Sequence, residues 1–281
     1  MDILVSFVVP AILGVGIGIL SGMLGIGGGT VMVPLFRLLF GMSAIASTAT
    51  SLFAIVPTSI SGAVSHIRQK TCIPALGIAC GIGGACTSPL GVWLATISPD
   101  WLVMLVAAIV IGYSAVNMIR KAMKMKPAKA AAEPADSDEA AAPVPAPAPV
   151  EEDVPLGKKQ LLMGVGIGLV AGVLSGYVGV GGGFIMVPLM LSIIHINMRK
   201  ASGTSLIAVM ILAIPGVIEQ GILGNINYLA GIAIVIGSIP GAVLGARLVK
   251  VVPERTLRFI FGGFLFIAAI LLAVNEFGLL G

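Results

Sequence analysis

Residues 21–35 read SGMLGIGGGTVMVPL, and residues 175–189 read SGYVGVGGGFIMVPL. A run of glycines stands twice inside an apolar stretch. Laying Gly25 on Gly179, 154 positions later, carries Pro34 onto Pro188 and the TSL of 50–52 onto that of 204–206. The same register carries Gly62 onto Gly216, Gly77 onto Gly231, the LG of 90–91 onto 244–245 and Pro99 onto Pro253. A gapless register over roughly 90 residues marks a duplicated chain, a repeat signature found in many membrane proteins that move solutes.

Composition sets the class. The 281 residues are 58% hydrophobic and 10% charged, against about 25% charged in a soluble domain. Several runs exceed the ~18 apolar residues that mark a membrane span. The expected fold class is an all-α polytopic membrane protein. The net charge of +4 does not indicate nucleic acid, because Lys and Arg of membrane proteins collect in cytoplasmic loops. Cys72, Cys80 and Cys86 lie in one apolar segment without metal-ligand spacing; they read as core packing, with a sulfur-handling thiol as the alternative. No metal or cofactor is expected. The N-terminus lacks the basic start of a signal peptide and has Asp2; its counterpart at 161–174 lies mid-chain, so it reads as a retained helix.

The duplication divides the chain into a membrane repeat over 1–120, a linker over 121–159 and a second repeat over 160–281. The linker is rich in Ala, Pro and charge and cannot bury a core, which predicts a disordered tether. Each repeat holds five apolar segments. They run roughly over 3–24, 30–42, 44–66, 72–97 and 101–120, then over 160–178, 184–196, 202–224, 227–250 and 255–275. The second segment of each repeat is short. Some thirteen helical residues reach ~20 Å, against a ~30 Å hydrocarbon core. It therefore either crosses incompletely or starts inside the membrane, as a full span or as the return arm of a re-entrant hairpin.

Charge predicts orientation. HIRQK (66–70) after segment three is basic, whereas the matching EQGILGN (219–225) has no Lys or Arg; TISPDW (96–101) is acidic, whereas KVVPERTLR (250–258) is basic. The same loop carries opposite charge in the two copies. The positive-inside rule then sets the repeats upside down relative to each other, with the linker and Arg199–Lys200 cytoplasmic and both termini outside.

An unpaired backbone N–H in hydrocarbon costs several kcal/mol, so irregular backbone at membrane depth belongs where protein surrounds it or a cavity opens. Gly25, Gly27, Gly28 and Gly29, with Gly179, Gly181, Gly182 and Gly183, suit a sharp turn closed to other residues. Each turn precedes an apolar run that starts with free N–H groups and a partial positive charge of about +0.5. Two such starts facing each other near the midplane would hold an anion without a buried Lys or Arg. Close helix packing of the small-xxx-small kind is the alternative. A dinucleotide loop is not supported, since strand, acidic partner and Walker lysine are all missing.

Hydroxyls add uncharged donors. Thr50, Ser51, Thr204 and Ser205 of the paired TSL are candidate binding residues. Ser47, Ser51, Thr58, Ser61 and Ser65 form a helical stripe with Ala54 in the gap, which suits either a path or close helix approach. Ser21, Ser175 and Ser47 are candidate path residues. Arg37 lies in the first short segment, to snorkel at the outer interface or to draw an anion inward. Arg247 reads as an inner anchor. His66 and Gln220 occupy equivalent positions, and His66 is a boundary residue or a proton relay; Glu219 is similar.

These motifs resemble the duplicated signature of the TauE/SafE sulfite exporter family, also called the toluene sulfonate uptake permease family. KASGTSL (200–206) and GSIPGAVLGARLVKVVPERTLRFIFGGFLF (237–266) are similar to its pattern as well. The first half fits more loosely, with Ser47–Thr48–Ala49 where the second has Ala201–Ser202–Gly203. The resemblance implies a bacterial-type plasma-membrane permease for sulfite, organosulfonates or related anions. It would be a secondary transporter, since no ATPase signature is present, working by alternating access with a proton or sodium as coupling ion and no covalent step. Its site would lie at the repeat interface. An anion channel and a membrane sulfur-transfer or scaffold protein are the alternatives.

Overall fold

A computed structural model describes residues 3–125 and 157–276. Each half folds as five α-helices. The first comprises α1 (Ile3–Leu24), α2 (Gly29–Phe40), α3 (Ala44–Arg68), α4 (Pro74–Ile97) and α5 (Asp100–Lys124). The second comprises α6 (Lys158–Val178), α7 (Gly183–Leu189), α8 (Met198–Ile222), α9 (Tyr228–Leu248) and α10 (Glu254–Glu276), and α7 continues into a π-helical turn over Met190–Ile194. There is no strand among the described residues. The helices α5 and α6 reach a few residues into the stretch assigned to the linker; residues 126–156, and with them the expected disorder, lie outside the described residues.

The helix starts are built alike in the two halves. Ser43 and Asn197 accept from the N–H groups of Ala46 (3.2 Å) and Lys200 (2.8 Å), capping α3 and α8. Asp100 and Glu254, at the starts of α5 and α10, accept from Ala44 (3.2 Å) and Met198 (3.3 Å) in the same helix starts. Each carboxylate thus meets the positive end of two helices. Backbone shape repeats even where the residue does not. Gly41 and His195 are both left-handed, as are Lys70 and Gly224, and each pair is one register position.

Packing crosses between halves. Helix α1 lies along α9 and α6 along α4, while α3 packs on α8 and α5 on α10. Glycines make the first two contacts close. A Cβ on Gly14, Gly18 or Gly22 would run into backbone of Ile234, Ser238 or Ala242, and one on Gly168, Gly172 or Gly176 into backbone of Cys80, Gly84 or Ser88. Residue numbers rise together in both sets, so each pair is parallel. Helices α3 and α8 run antiparallel instead: Gly62 meets Leu206, and Gly216 meets Leu52. So do α5 and α10, with Gly112 against Ala269 and Gly262 against Ile119. Lipid gives no hydrophobic drive between helices, so this intimate contact carries their association. Phe36, Phe184 and Phe261 are fully buried between them, and large apolar side chains such as Ile12, Trp93, Ile109 and Leu162 face outward.

Connectivity settles how the short helices run. Thr50, near the start of α3, accepts from the N–H of Asn227 at the start of α9 (3.0 Å). Helices α3, α5 and α9 therefore start at one end of the bundle, and α1, parallel to α9, starts there too. The α2 residue Arg37 reaches Asp100 at the same end (3.8 Å). So α1 and α2 form a hairpin that returns to its own end. In the second half Thr204 accepts from Ile73 at the start of α4 (2.9 Å), which places the α6–α7 hairpin at the opposite end. Seven described helices are long and apolar enough to cross a membrane, α1 and α6 among them; the hairpins show that length alone does not give the count of crossings.

The same glycine residue type predicts opposite effects on one helix. Gly18 faces α9 backbone, whereas Gly16 has open space where a Cβ would go. Gly18→Ala is expected to destabilise the purified protein by about 1–3 kcal/mol. Gly16→Ala is expected to stabilise it by up to about 1 kcal/mol through helix propensity. Melting in detergent checks the sign of each.

Candidate functional site

The two glycine turns meet at the middle of the bundle. Gly25, Gly27 and Gly28 have φ of 76°, 75° and 87°, and Gly179, Gly181 and Gly182 have 72°, 86° and 68°. A side chain there costs roughly 1–2 kcal/mol per position. Gly27 and Gly181 both lie against Ile55 and Val209, each the twelfth residue of a 25-residue helix. Gly29 packs on the carbonyl of Val180, and Gly183 on the backbone of Gly25 and Ile26.

From this contact α2 and α7 depart toward opposite ends. Their N-caps, Gly28 and Gly182, supply no side chain to the first turn; the N–H groups of Val31 and Ile185 turn back to those N-cap carbonyls and that of Gly183 to Gly181, which leaves Gly29, Thr30 and Phe184 without a backbone acceptor. Both turns are buried. Ser21, Thr30, Ser59 and Ser175 stand at the turns with buried hydroxyls that have no hydrogen-bond partner, and Ser47 and Ser51 in the first turns of α3 are buried and partnerless as well. Ser21 neighbours Gly28, Ser175 neighbours Gly182, and the Ser59 hydroxyl neighbours Gly27. The arrangement offers N–H and O–H donors and no cation, which suits a small oxyanion.

The other expected residues divide. Ser205 reaches the turn, donating to the carbonyl of Gly25 (2.7 Å) and to that of Ser202 (2.9 Å). Its counterpart Ser51 makes no such bond and its hydroxyl has no partner, although Thr48 lies beside Gly179 as Ser202 lies beside Gly25. Thr50 and Thr204 serve the starts of α9 and α4, their oxygens taken by backbone N–H groups. The hydroxyl stripe splits as well: Thr58 bonds Ser238, Ser61 donates to the carbonyl of Ile239, and Ser65 accepts from Gln69. Arg37 stands at the far end of α2 from the turns. Thr30 and Ser59 went unremarked in the sequence, although Thr30 follows the glycines directly and Ser59 adjoins the stripe.

A family model described as "Sulfite exporter TauE/SafE" matches residues 10–272. The chain belongs to the TauE/SafE family. The match takes in both glycine turns. "Probable membrane transporter protein YunE" of Bacillus subtilis (strain 168) is 26% identical over 264 residues, which is 91% of this chain and 93% of that one. "Probable membrane transporter protein YdhB" of the same organism is 27% identical over 243 residues, or 86% and 90%. "Probable membrane transporter protein MamO" of Magnetospirillum gryphiswaldense is 36% identical over 103 residues, covering 34% of this chain and 16% of its own. No solved structure matches.

TauE/SafE is a family of membrane permeases and not of enzymes, and this member is a multi-pass membrane protein. Of the three cysteines Cys80 is buried and Cys72 half-buried, as core packing requires, whereas Cys86 is exposed. Burial pushes the Cys72 thiol up to about 11, so almost none is thiolate at neutral pH.

The unequal serines give a paired expectation. Ser205→Ala removes a buried bond and lowers stability by about 1 kcal/mol. Ser51→Ala removes a hydroxyl without a partner and leaves the melting point unchanged or raises it, while weakening anion binding. Melting and anion titration of both variants check this.

Proposed function

We propose that this chain is a secondary transporter that carries small sulfur-containing oxyanions, sulfite or organosulfonates, across the bacterial inner membrane by alternating access. The observation that carries the reading is the meeting of two buried, uncapped helix starts ringed by partnerless hydroxyls. Glycine N–H groups from both hairpins would bind the anion's oxygens, with Ser21, Ser51 and Ser175 as further donors and Thr50 and Thr204 as braces. The family description supports a sulfur oxyanion, and the printed titles of the relatives support transport.

The halves are inverted repeats on this reading. Equivalent helices α3 and α8 run antiparallel, as do α5 and α10, and exchanging the halves maps every major packing pair onto another. Every described Lys and Arg other than Arg37 belongs to the end where α8, α10, α4 and α6 start. The positive-inside rule makes that end cytoplasmic. The linker follows it inside, and the N-terminus lies outside.

Purified protein in liposomes, offered sulfite, sulfate, thiosulfate, taurine and a plain carboxylate under a proton or sodium gradient, is expected to accumulate a sulfur oxyanion or sulfonate uphill. Flux that never exceeds electrochemical equilibrium would identify a channel instead, and no flux from folded protein would remove the reading. Gly28→Val and Gly182→Val are each expected to cut anion affinity by tenfold or more while the protein still inserts. Wild-type binding in both would displace the site from the turns.

A further inference from the structure

His66 lies at the C-terminal end of α3, fully buried. Its Nε2 is 2.8 Å from the carbonyl oxygen of Gly22 on α1. A carbonyl only accepts, so Nε2 carries a hydrogen. Its Nδ1 is 2.7 Å from the hydroxyl of Thr71, and that hydroxyl also lies 3.3 Å from the His66 carbonyl. Thr71 therefore has two settings. With neutral imidazole, the hydroxyl donates to Nδ1. With imidazolium, Nδ1–H donates to the hydroxyl oxygen, whose own hydrogen turns to the His66 carbonyl. Every donor has an acceptor in both states, and Thr71 is half-buried, linking the ring to the surface.

The second half holds the same place without a titratable group. Gln220, also fully buried, takes the position of His66, and its carbonyl oxygen accepts from Asn225, which takes the position of Thr71 (2.7 Å). Room for the ring comes from Gly203 on α8, where a Cβ would lie 2.8 Å from Nδ1; the matching residue in the other half is Ala49. The pocket touches the proposed anion site from two sides. Gly22 follows Ser21 and precedes the Gly25 turn, and Gly203 stands two residues before Ser205, which holds the Gly25 carbonyl.

We propose that His66 is the binding site of the coupling proton, taken up at Nδ1 by way of Thr71 from the cytoplasmic end. This rests on the transport reading above. Per cycle one proton exchanges between Nδ1 and cytoplasmic water as the Thr71 hydroxyl rotates, and, once alternating access has turned the site to the other face, between Nδ1 and water on that side, so that one proton crosses the membrane with each turnover. Lys250 is the charged group that acts on the ring, from the end of α9 with Arg247 nearby, and Glu254 is the acidic group at the start of α8, accepting from the Met198 N–H (3.3 Å). Arg68 and Lys70 flank the ring on its own segment, and Arg199 and Lys200 stand within a turn of Gly203 on α8; α1 carries no titratable side chain among the described residues and Cys72 is a neutral thiol. The bound proton is thus held by hydrogen bonds and the negative end of α3 rather than by a carboxylate.

Two measurements test it. The chain has two histidines, so His195→Asn protein with nitrogen-labelled imidazole reports His66 alone by NMR. An Nε2–H tautomer that protonates reversibly in the folded protein is expected; a ring that never titrates while the protein stays folded overturns the proposal. In liposomes, His66→Gln is expected to keep anion exchange within about twofold of wild type yet lose uphill accumulation driven by a proton gradient by tenfold or more. Where His66→Gln folds poorly, His66→Gln with Thr71→Asn rebuilds the pair found in the other half. Accumulation at the wild-type level in either variant overturns the coupling role. A wild-type protein that moves no anion removes the transport reading and the coupling role with it, while the NMR titration still decides whether the proton site exists.

Discussion

A helix that begins inside hydrocarbon leaves N–H groups that nothing in lipid can satisfy. Everything around α2 and α7 answers that demand. Two turns of left-handed glycines bring the starts together at Ile55 and Val209, the long helices α3 and α8 wall them from lipid, and the hairpin arms α1 and α6 are held by backbone-to-backbone packing on α9 and α4. The same demand makes the place chemically useful. The donors left over, the N–H groups of Gly29, Thr30 and Phe184, are available to a guest that brings oxygen atoms.

Much of this was legible in the sequence. The duplication, the breaks at Gly25–Gly29 and Gly179–Gly183 and the short helices after them all follow from residue type and register, because glycine and proline act on their own backbone. What was not legible depends on neighbours. TSL repeats identically, yet Thr50 and Thr204 serve helix starts and Ser205 serves the Gly25 carbonyl, since each residue of the triplet faces a different helix. Periodicity placed Thr58 and Ser61 on one face of α3 but could not say that α9 lies against it. Asp100 and Glu254 read as loop charges; their work as caps for α3 and α8 involves partners 56 residues away.

The copies agree in backbone and differ in chemistry. His195 and Lys70 hold left-handed conformations where the matching residues are glycine, so the turn has persisted where the residue suited to it has not. Thr30, Ser47 and Ser59 line one half, where the other has Phe184, Ala201 and Ala213. Such differences let a symmetric scaffold treat its two faces unequally, and a transporter that moves substrate against a gradient must do so.

The crossed packing also bears on how the chain is made. Helix α1 is synthesised before its partner α9, which lies more than two hundred residues further along the chain. At roughly 5–20 residues per second, the glycine face of α1 waits on the order of 10–40 s before anything covers it. During that time the nascent first half stands in the bilayer with its contact surface open, and whatever shields it then (lipid, the insertion machinery or a second nascent chain) competes with the native mate. Closure of this contact is therefore a late event, gated by the arrival of α9.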